Sequence, residues 1–155
     1  MKLLKTINPE SVSEEEVKGY RTREAGRAVV FDGDGNVALL HVTNENYYKL
    51  PGGGVEEGET PEQAVIREIK EETSFDARIN KKLWEFYQDY DKRIHHYFLI
   101  TDFSGDLKLG GPEAIKNSKE NSYTLEWHKI KDISKLQIKP EEGKNRILKE
   151  FIYKN

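Results

Sequence analysis

Hydrophobic positions along this chain follow two different periods, and each period predicts a different kind of element. Apolar residues at helical spacing follow Pro61 and again Pro140, which predicts a central and a C-terminal helix. Alternating or continuous apolar stretches predict β-strands at residues 3–7, 25–31, 37–43, 47–50, 77–88, 93–103 and 123–130. Strands interrupted by one helix and closed by a second predict an α+β fold, an α/β/α sandwich with a mixed β-sheet.

The polar stretch between the second and third predicted strands resembles a calcium site but reads better as a turn. Asp32, Asp34 and Asn36 have the first three ligand spacings of an EF-hand loop. Val37 and Thr43 then occupy positions that would need glycine and glutamate. Strands, and not helices, flank the stretch, so we expect a hairpin turn.

The central helix has a well-defined predicted start. Thr60 precedes Pro61, and Gln63 follows three residues after Thr60. This spacing is that of a capping box, and proline at the first helical position loses no required hydrogen-bond donor. The start fixes the rotation of the helix and therefore the direction of its charged side chains.

Three carboxylates of this helix fall on one side. At about 100° per residue, Glu71 and Glu72 lie about −60° and +40° from Glu68. That arc borders the apolar stripe of Val65 and Ile69 and does not oppose it. A solvated acidic face is the alternative reading, but no lysines alternate with these charges. A hard divalent cation beside a phosphate would offset their mutual repulsion, so the helix predicts a metal site.

Composition restricts the class of protein. The chain has 155 residues, 35% of them hydrophobic, which predicts one domain over residues 1–155, with a polar segment at 1–23 and a core at 24–155. No apolar run approaches the roughly 20 residues that span a bilayer, so we expect no membrane partner. A net charge of −3 argues against a general nucleic-acid surface. The absence of cysteine excludes disulfides and thiolate chemistry and fits a cytoplasmic protein.

A longer pattern surrounds the acidic helix. Its fixed positions are Gly53, Glu59, Arg67, Glu68, Ile69, Glu71, Glu72 and Phe75. The pattern resembles the signature of the Nudix hydrolases, which has glycine where this chain has Ser74. Glycine there suits the left-handed residue that ends a helix, and serine can adopt that conformation at a cost of about 1 kcal/mol.

The resemblance implies a fold, a reaction and a set of site residues. It implies the Nudix fold and metal-dependent hydrolysis of a phosphoanhydride in a nucleoside diphosphate joined to another group. That substrate class includes nucleoside triphosphates, nucleotide sugars, ADP-ribose and dinucleoside polyphosphates. A catalytically silent nucleotide-binding sensor of the same fold is the alternative, and a chance motif in an ordinary metal-binding domain is a third reading. Mg²⁺ or Mn²⁺ would be held by Glu68, Glu71, Glu72 and the Gly52 carbonyl, with Glu59 and Arg67 in support.

A fourth carboxylate is expected from the long polar stretch at residues 105–121. By resemblance, Nudix enzymes often supply a further glutamate after the sheet, and Glu113 is our candidate for that catalytic role beside the helical three. Glu120 and Glu126 compete with it.

Two further groups are weaker candidates. His95 and His96 are neighbours on a predicted strand, so they point to opposite faces and cannot easily share a metal ion. Tyr and Trp side chains could stack on a nucleobase, although strand aromatics are more often core residues. The substrate within the class and the oligomeric state, including a homo-oligomer, therefore stay open. The aromatic candidates are Tyr47, Tyr48, Trp84, Tyr87 and Tyr97.

Overall fold

Ten strands and two α-helices make up the described part of the chain in the computed structural model. The structure describes residues 3–7, by their backbone alone, and residues 23–89, 92–105 and 123–152. The helices are α1 (Pro61–Thr73) and α2 (Glu141–Phe151), and a 3₁₀ turn covers Ile130–Lys135. The strands are β1 (Leu3–Ile7), β2 (Arg23–Val30), β3 (Asn36–Val42), β4 (Tyr47–Lys49), β5 (Gly52–Gly54), β6 (Asp76–Arg78), β7 (Lys81–Gln88), β8 (Arg93–Ile100), β9 (Asp102–Ser104) and β10 (Tyr123–Lys129).

The largest sheet is mixed, as predicted. Its order is β1-β7-β8-β2-β5, with β1 parallel to β7 and β8 parallel to β2. The two remaining pairs, β7 with β8 and β2 with β5, are antiparallel. A second, antiparallel sheet has the order β10-β3-β4, and β6 pairs with β9 in a small third sheet. This pairing sets β5, the glycine strand, beside the middle of β2.

Apolar side chains on β2 alternate between two cores. Val30 packs with Ile69 of α1, whereas Val29 packs with Ile147 of α2 on the opposite face. Because successive strand residues point to opposite faces, one strand separates the two helices. The arrangement confirms the predicted α+β class with a helix on each side of the sheet. Neither α1 nor α2, the α-helices of the described chain, is long and apolar enough to cross a bilayer.

Two of the predicted strands are each divided in the structure. The stretch 77–88 separates into β6 and β7, and 93–103 separates into β8 and β9. Asn80 lies at the division, where its side-chain Oδ1 accepts a hydrogen bond from the Thr101 amide at 2.6 Å. Beyond it β6 and β9 leave the large sheet and pair with each other. The first bend falls at the polar residues 80–82 and the second at residues 101–102, and the predicted strands ran across both of these interruptions.

The predicted turn between β2 and β3 is confirmed, but the predicted hairpin is not. Within the described residues the two strands are joined only by the Phe31–Val37 bridge beside the turn, and they belong to different sheets. Asp32 Oδ1 accepts hydrogen bonds from the amides of Asp34 at 2.8 Å and Asn36 at 2.9 Å. Asp32 Oδ2 accepts from the Asn36 side-chain amide at 2.7 Å. Asp32 thus stabilises the turn by closing it on itself.

Candidate active site

Three consecutive glycines form the short strand β5. β5 pairs antiparallel with β2, so that Gly52 lies opposite Arg27. Gly52 has φ of +144°, and a Cβ on it would overlap the backbone of β2. A Cβ on Gly53 would lie 2.6 Å from the Glu68 carboxyl carbon, whereas a Cβ on Gly54 would meet nothing within 4 Å. Two of the glycines are therefore required by close approach, and the third is not.

Both ends of α1 have the predicted geometry. Thr60 Oγ1 accepts from the Gln63 amide at 3.1 Å, and Gln63 Oε1 accepts from the Thr60 amide at 2.9 Å. At the other end Ser74 is left-handed, with φ of 68°, and its amide donates to the Lys70 carbonyl at 3.0 Å. The capping box and the left-handed serine thus fix where the helix begins and ends.

The three carboxylates of α1 become progressively more buried toward the sheet. The Glu71 side chain is 35% exposed and that of Glu68 is 17% exposed, while Glu72 is 1% exposed. Glu72 Oε1 accepts a hydrogen bond from the Gly52 amide at 2.6 Å. Burial raises the pKa of Glu68 against the opposing effect of its hydrogen bond from Arg67. A solvated acidic face does not account for this arrangement.

Arg67 connects the carboxylates to each other. Its Nε and Nη2 donate to the two carboxylate oxygens of Glu59 at 2.9 and 3.0 Å. Its Nη1 donates to Glu68 Oε1 at 2.9 Å and to Glu71 Oε2 at 3.2 Å. The hydrogen bond from Arg67 holds the pKa of Glu59 below its usual value. The structure thus brings Arg67 into contact with two of the predicted metal ligands, and Glu59 into contact with Arg67.

The carboxylate and carbonyl oxygens of the site are the ligands that suit a hard divalent cation, although the carboxylates of Glu68 and Glu71 here accept hydrogen bonds from Arg67. Among the described residues, no group of three or more His, Asp and Glu side chains has the geometry of a metal site. One nitrogen, Arg67 Nη1, nevertheless lies within hydrogen-bond distance of two carboxylates. The missing Cβ of Gly53 leaves the space that the Glu68 carboxylate fills. Two convergent carboxylates with a backbone carbonyl nearby are the ligands that Mg²⁺ and Mn²⁺ prefer.

These side chains line a cleft of about 420 Å³ that also contains residues we did not predict. Its other walls include Arg27, Lys49, Glu56 and Arg93. Arg27 Nη1 donates to the Gly52 carbonyl at 3.2 Å. Arg27 is a charged residue inside the otherwise apolar predicted strand of residues 25–31, which could have marked it as a candidate site residue. Its contact with Gly52 was not predictable, because the sequence does not show which strand pairs with this one.

Of the candidate loop glutamates, only Glu126 can be located. Glu113 and Glu120 lie in 106–122, outside the described residues. Glu126 is on β10, where it accepts hydrogen bonds from Thr124 at 2.6 Å and pairs with His41 at 3.0 Å and His128 at 2.8 Å. It does not line the cleft. Its carboxylate joins β10 to β3 and is not gathered with those of α1.

The two histidines of β8 lie on opposite faces, as predicted. His95 is 2% exposed and stacks on Phe86 with ring centroids 5.0 Å apart. His96 contacts Glu85 at 3.0 Å and Glu24 at 2.9 Å on the other face. Neither histidine lines the cleft that holds the carboxylates. Of the aromatic candidates, Trp84 and Tyr97 are buried core residues.

Comparison with known proteins agrees with the fold and with the family that the sequence resembles. A family model described as the NUDIX domain matches residues 21–151. An ADP-ribose pyrophosphatase of Methanocaldococcus jannaschii is 29% identical over 159 aligned positions, covering 96% of this chain and 86% of its own length. The uncharacterised Nudix hydrolase YvcI of Bacillus subtilis is 31% identical over 118 positions, covering 74% and 71%. The solved mutator MutT protein of Bacillus halodurans superposes with a TM-score of 0.63 at 25% identity, covering 81% and 79%.

The mixed sheet between two helices is thus a MutT-like fold. The chain belongs to the Nudix hydrolase family, whose members act on pyrophosphate bonds.

Proposed function

We propose that this chain is a metal-dependent pyrophosphohydrolase that cleaves a phosphoanhydride in a nucleoside diphosphate joined to another group. One observation carries the proposal: two carboxylates of α1 converge on the single atom Arg67 Nη1, at 2.9 and 3.2 Å. Carboxylates held this close need a positive charge between them, which Arg67 supplies here and which a divalent cation would supply more strongly. A catalytically silent binding module would have no need to keep such a cluster in the lining of a cleft.

The proposal divides the site residues into metal ligands, a proton acceptor and positioning residues. Glu68, Glu71 and Glu72 would hold Mg²⁺ or Mn²⁺ together with the Gly52 carbonyl. When bound, the ion supplies charge neutralisation for the phosphoryl oxygens and lowers the pKa of a water ligand. Glu72 is fixed by its hydrogen bond from the Gly52 amide, which couples the helix to the glycine strand. The proton of the attacking water passes to one of the three helical carboxylates or to Glu113.

Glu59 and Arg67 act as positioning residues. The two-fold hydrogen bond between them leaves Arg67 Nη1 free to reach Glu68 and Glu71. Hydrogen bonds of this kind orient metal ligands, and their loss commonly costs about 10- to 100-fold in metal affinity or activity. We therefore assign them to the orientation of the carboxylates and not to the substrate.

The relatives suggest where a substrate search should begin. The Methanocaldococcus jannaschii protein described as an ADP-ribose pyrophosphatase aligns with 96% of this chain. ADP-ribose therefore comes first, followed by nucleotide sugars, nucleoside triphosphates and dinucleoside polyphosphates. All four classes contain the same diphosphate unit, which is the part that the carboxylates and the cations of the cleft can recognise.

The test is a screen of the purified protein against this panel with Mg²⁺, with Mn²⁺ and with excess EDTA. We expect at least one substrate to give two phosphate-containing products by ³¹P NMR, and we expect EDTA to abolish their formation. Hydrolysis that persists in EDTA contradicts the metal requirement. Tight nucleotide binding without hydrolysis of any panel member would support the silent sensor instead.

A further inference from the structure

Arg27 holds the backbone oxygen that we assign to the metal. It lies in the middle of β2, paired with Gly52 of β5 on one side and with Tyr97 of β8 on the other. Its Nη1 donates to the Gly52 carbonyl at 3.2 Å, while the Gly52 amide donates to Glu72 at 2.6 Å. The two sides of one glycine are therefore held by a guanidinium and by a carboxylate. Neither the signature nor the proposed mechanism gives Arg27 a role.

The guanidinium of Arg27 is not in salt-bridge contact with a carboxylate of the described ranges, although its charge partly offsets the rise in the pKa of Glu68 that burial causes. Within residues 23–89, 92–105 and 123–152, no acidic side chain forms an ion pair with it, and its buried Nε finds no hydrogen-bond acceptor. Burial and the charges of Arg27 and Arg93 lower the pKa of the adjacent His95 to about 3, so that imidazole is neutral. Arg27 also lines the cleft with Lys49. A half-buried guanidinium of this kind is a binding group for phosphoryl oxygens.

Two guanidinium groups thus occupy the oxygens that the metal would need. Arg67 donates to Glu68 and Glu71, and Arg27 donates to Gly52. A divalent cation at these oxygens would repel both groups. Arg67 would be retained by its two hydrogen bonds to Glu59. Arg27 has no such second anchor among the described residues, so it is the group that must turn away.

We propose that Arg27 is a metal-displaced phosphate ligand, which covers the Gly52 carbonyl in the metal-free enzyme and contacts a phosphoryl oxygen of the substrate once the metal is bound. The inference rests on the proposed function and adds a specific consequence. Arg27 competes with the metal but assists the substrate, so its removal affects the two affinities in opposite directions. An arginine that only supported the fold would weaken both.

The first measurement is the Mn²⁺ affinity of the substrate-free protein. Mn²⁺ is titrated into the protein, and the free ion is monitored by electron paramagnetic resonance. Arg27→Met keeps the apolar stem and removes the charge. We expect it to bind Mn²⁺ at least about threefold more tightly than the unchanged protein, since one repelling charge is gone. Arg78→Met, at an exposed position of β6 outside the cleft, is the matched control and should leave the Mn²⁺ affinity unchanged.

Substrate contact is measured with methylenediphosphonate, a non-hydrolysable diphosphate, by calorimetry at saturating Mg²⁺. We expect Arg27→Met to weaken this binding at least about tenfold, the usual scale for losing one charged hydrogen bond to a phosphate. Weaker or equal Mn²⁺ binding by a folded Arg27→Met overturns the inference, and so does equal diphosphonate binding. If Arg27→Met shows no cooperative unfolding, Arg27→Lys replaces it. We then expect a smaller increase in Mn²⁺ affinity and a smaller loss of diphosphonate affinity. If either affinity is unchanged in Arg27→Lys, the inference is overturned. Failure of the unchanged protein to bind Mn²⁺ at all would instead overturn the proposed function.

Discussion

The three glycines of β5 offer a sharp test of how the carboxylates are positioned, because each is predicted to respond differently to alanine. A Cβ on Gly53 would lie 2.6 Å from Cδ and Oε1 of Glu68. Ordinary contacts are about 3.5 Å, so the carboxylate must move by about 1 Å. The obstacle is the end of a flexible side chain, and the fold can yield there. Gly53→Ala therefore disturbs the site and spares the fold.

The expected loss of rate in Gly53→Ala follows from that displacement. A misplacement of about 1 Å at a catalytic group commonly costs about 10²-fold in rate, which is about 2.7 kcal/mol of transition-state stabilisation. The stability of Gly53→Ala should stay within about 1 kcal/mol of the unchanged protein, since alanine also lowers the entropy of the unfolded chain. Gly52→Ala should instead lose about 3 kcal/mol or more, because its φ of +144° and the β2 backbone both exclude a side chain.

The assay is kcat/KM on the best phosphoanhydride of the panel, measured beside urea unfolding for each variant. Gly54→Ala is the matched control, since its Cβ would meet nothing within 4 Å. Equal rates for Gly53→Ala and Gly54→Ala would refute the reasoning. So would a rate loss in Gly53→Ala that is fully explained by unfolding.

Three further predictions concern single positions. Glu59→Gln weakens the two-fold hydrogen bond that orients Arg67, so it should lower Mg²⁺-dependent turnover about tenfold without unfolding the protein. An unchanged rate would show that Glu59 is not a positioning residue. Gly143→Ala should destabilise the fold by about 1–3 kcal/mol in urea unfolding, because its Cβ would overlap the buried hydroxyl of Tyr97, and an unchanged midpoint would show that α2 can shift. Glu113→Gln should slow turnover at least about tenfold if Glu113 takes the proton, and unchanged rates would give that role to another carboxylate.

Local features of the site were predictable from the sequence because neighbouring residues determine them. The capping box of Thr60 and Gln63 and the left-handed Ser74 depend only on side chains within a few positions. The helical angles of Glu68 and Glu72 follow from that start. Their unequal burial follows in turn from the apolar stripe beside them.

Features that depend on strand pairing could not be predicted from neighbouring residues in the sequence. Arg27 reaches Gly52 only because β2 pairs with β5 across 25 positions of chain. Glu126 was a candidate for the fourth carboxylate. In the structure β10 pairs with β3, which places Glu126 beside His41, 85 positions away in the chain. The glycine run does not itself show that two of its members are needed, because the close approach that excludes their side chains comes from other elements. Long-range pairing decides these positions, and an apolar pattern does not record it.

The central claim is that the carboxylates of α1 bind the metal used in hydrolysis. The most direct measurement is Mg²⁺-dependent turnover by Glu72→Gln and Glu68→Gln on the best substrate of the panel, with the folding of each variant checked by urea unfolding. Glutamine keeps the size and an acceptor oxygen for the Gly52 amide but removes the charge. We predict folded variants with turnover reduced at least about thousandfold. Undiminished Mg²⁺-dependent turnover by either folded variant would contradict the account.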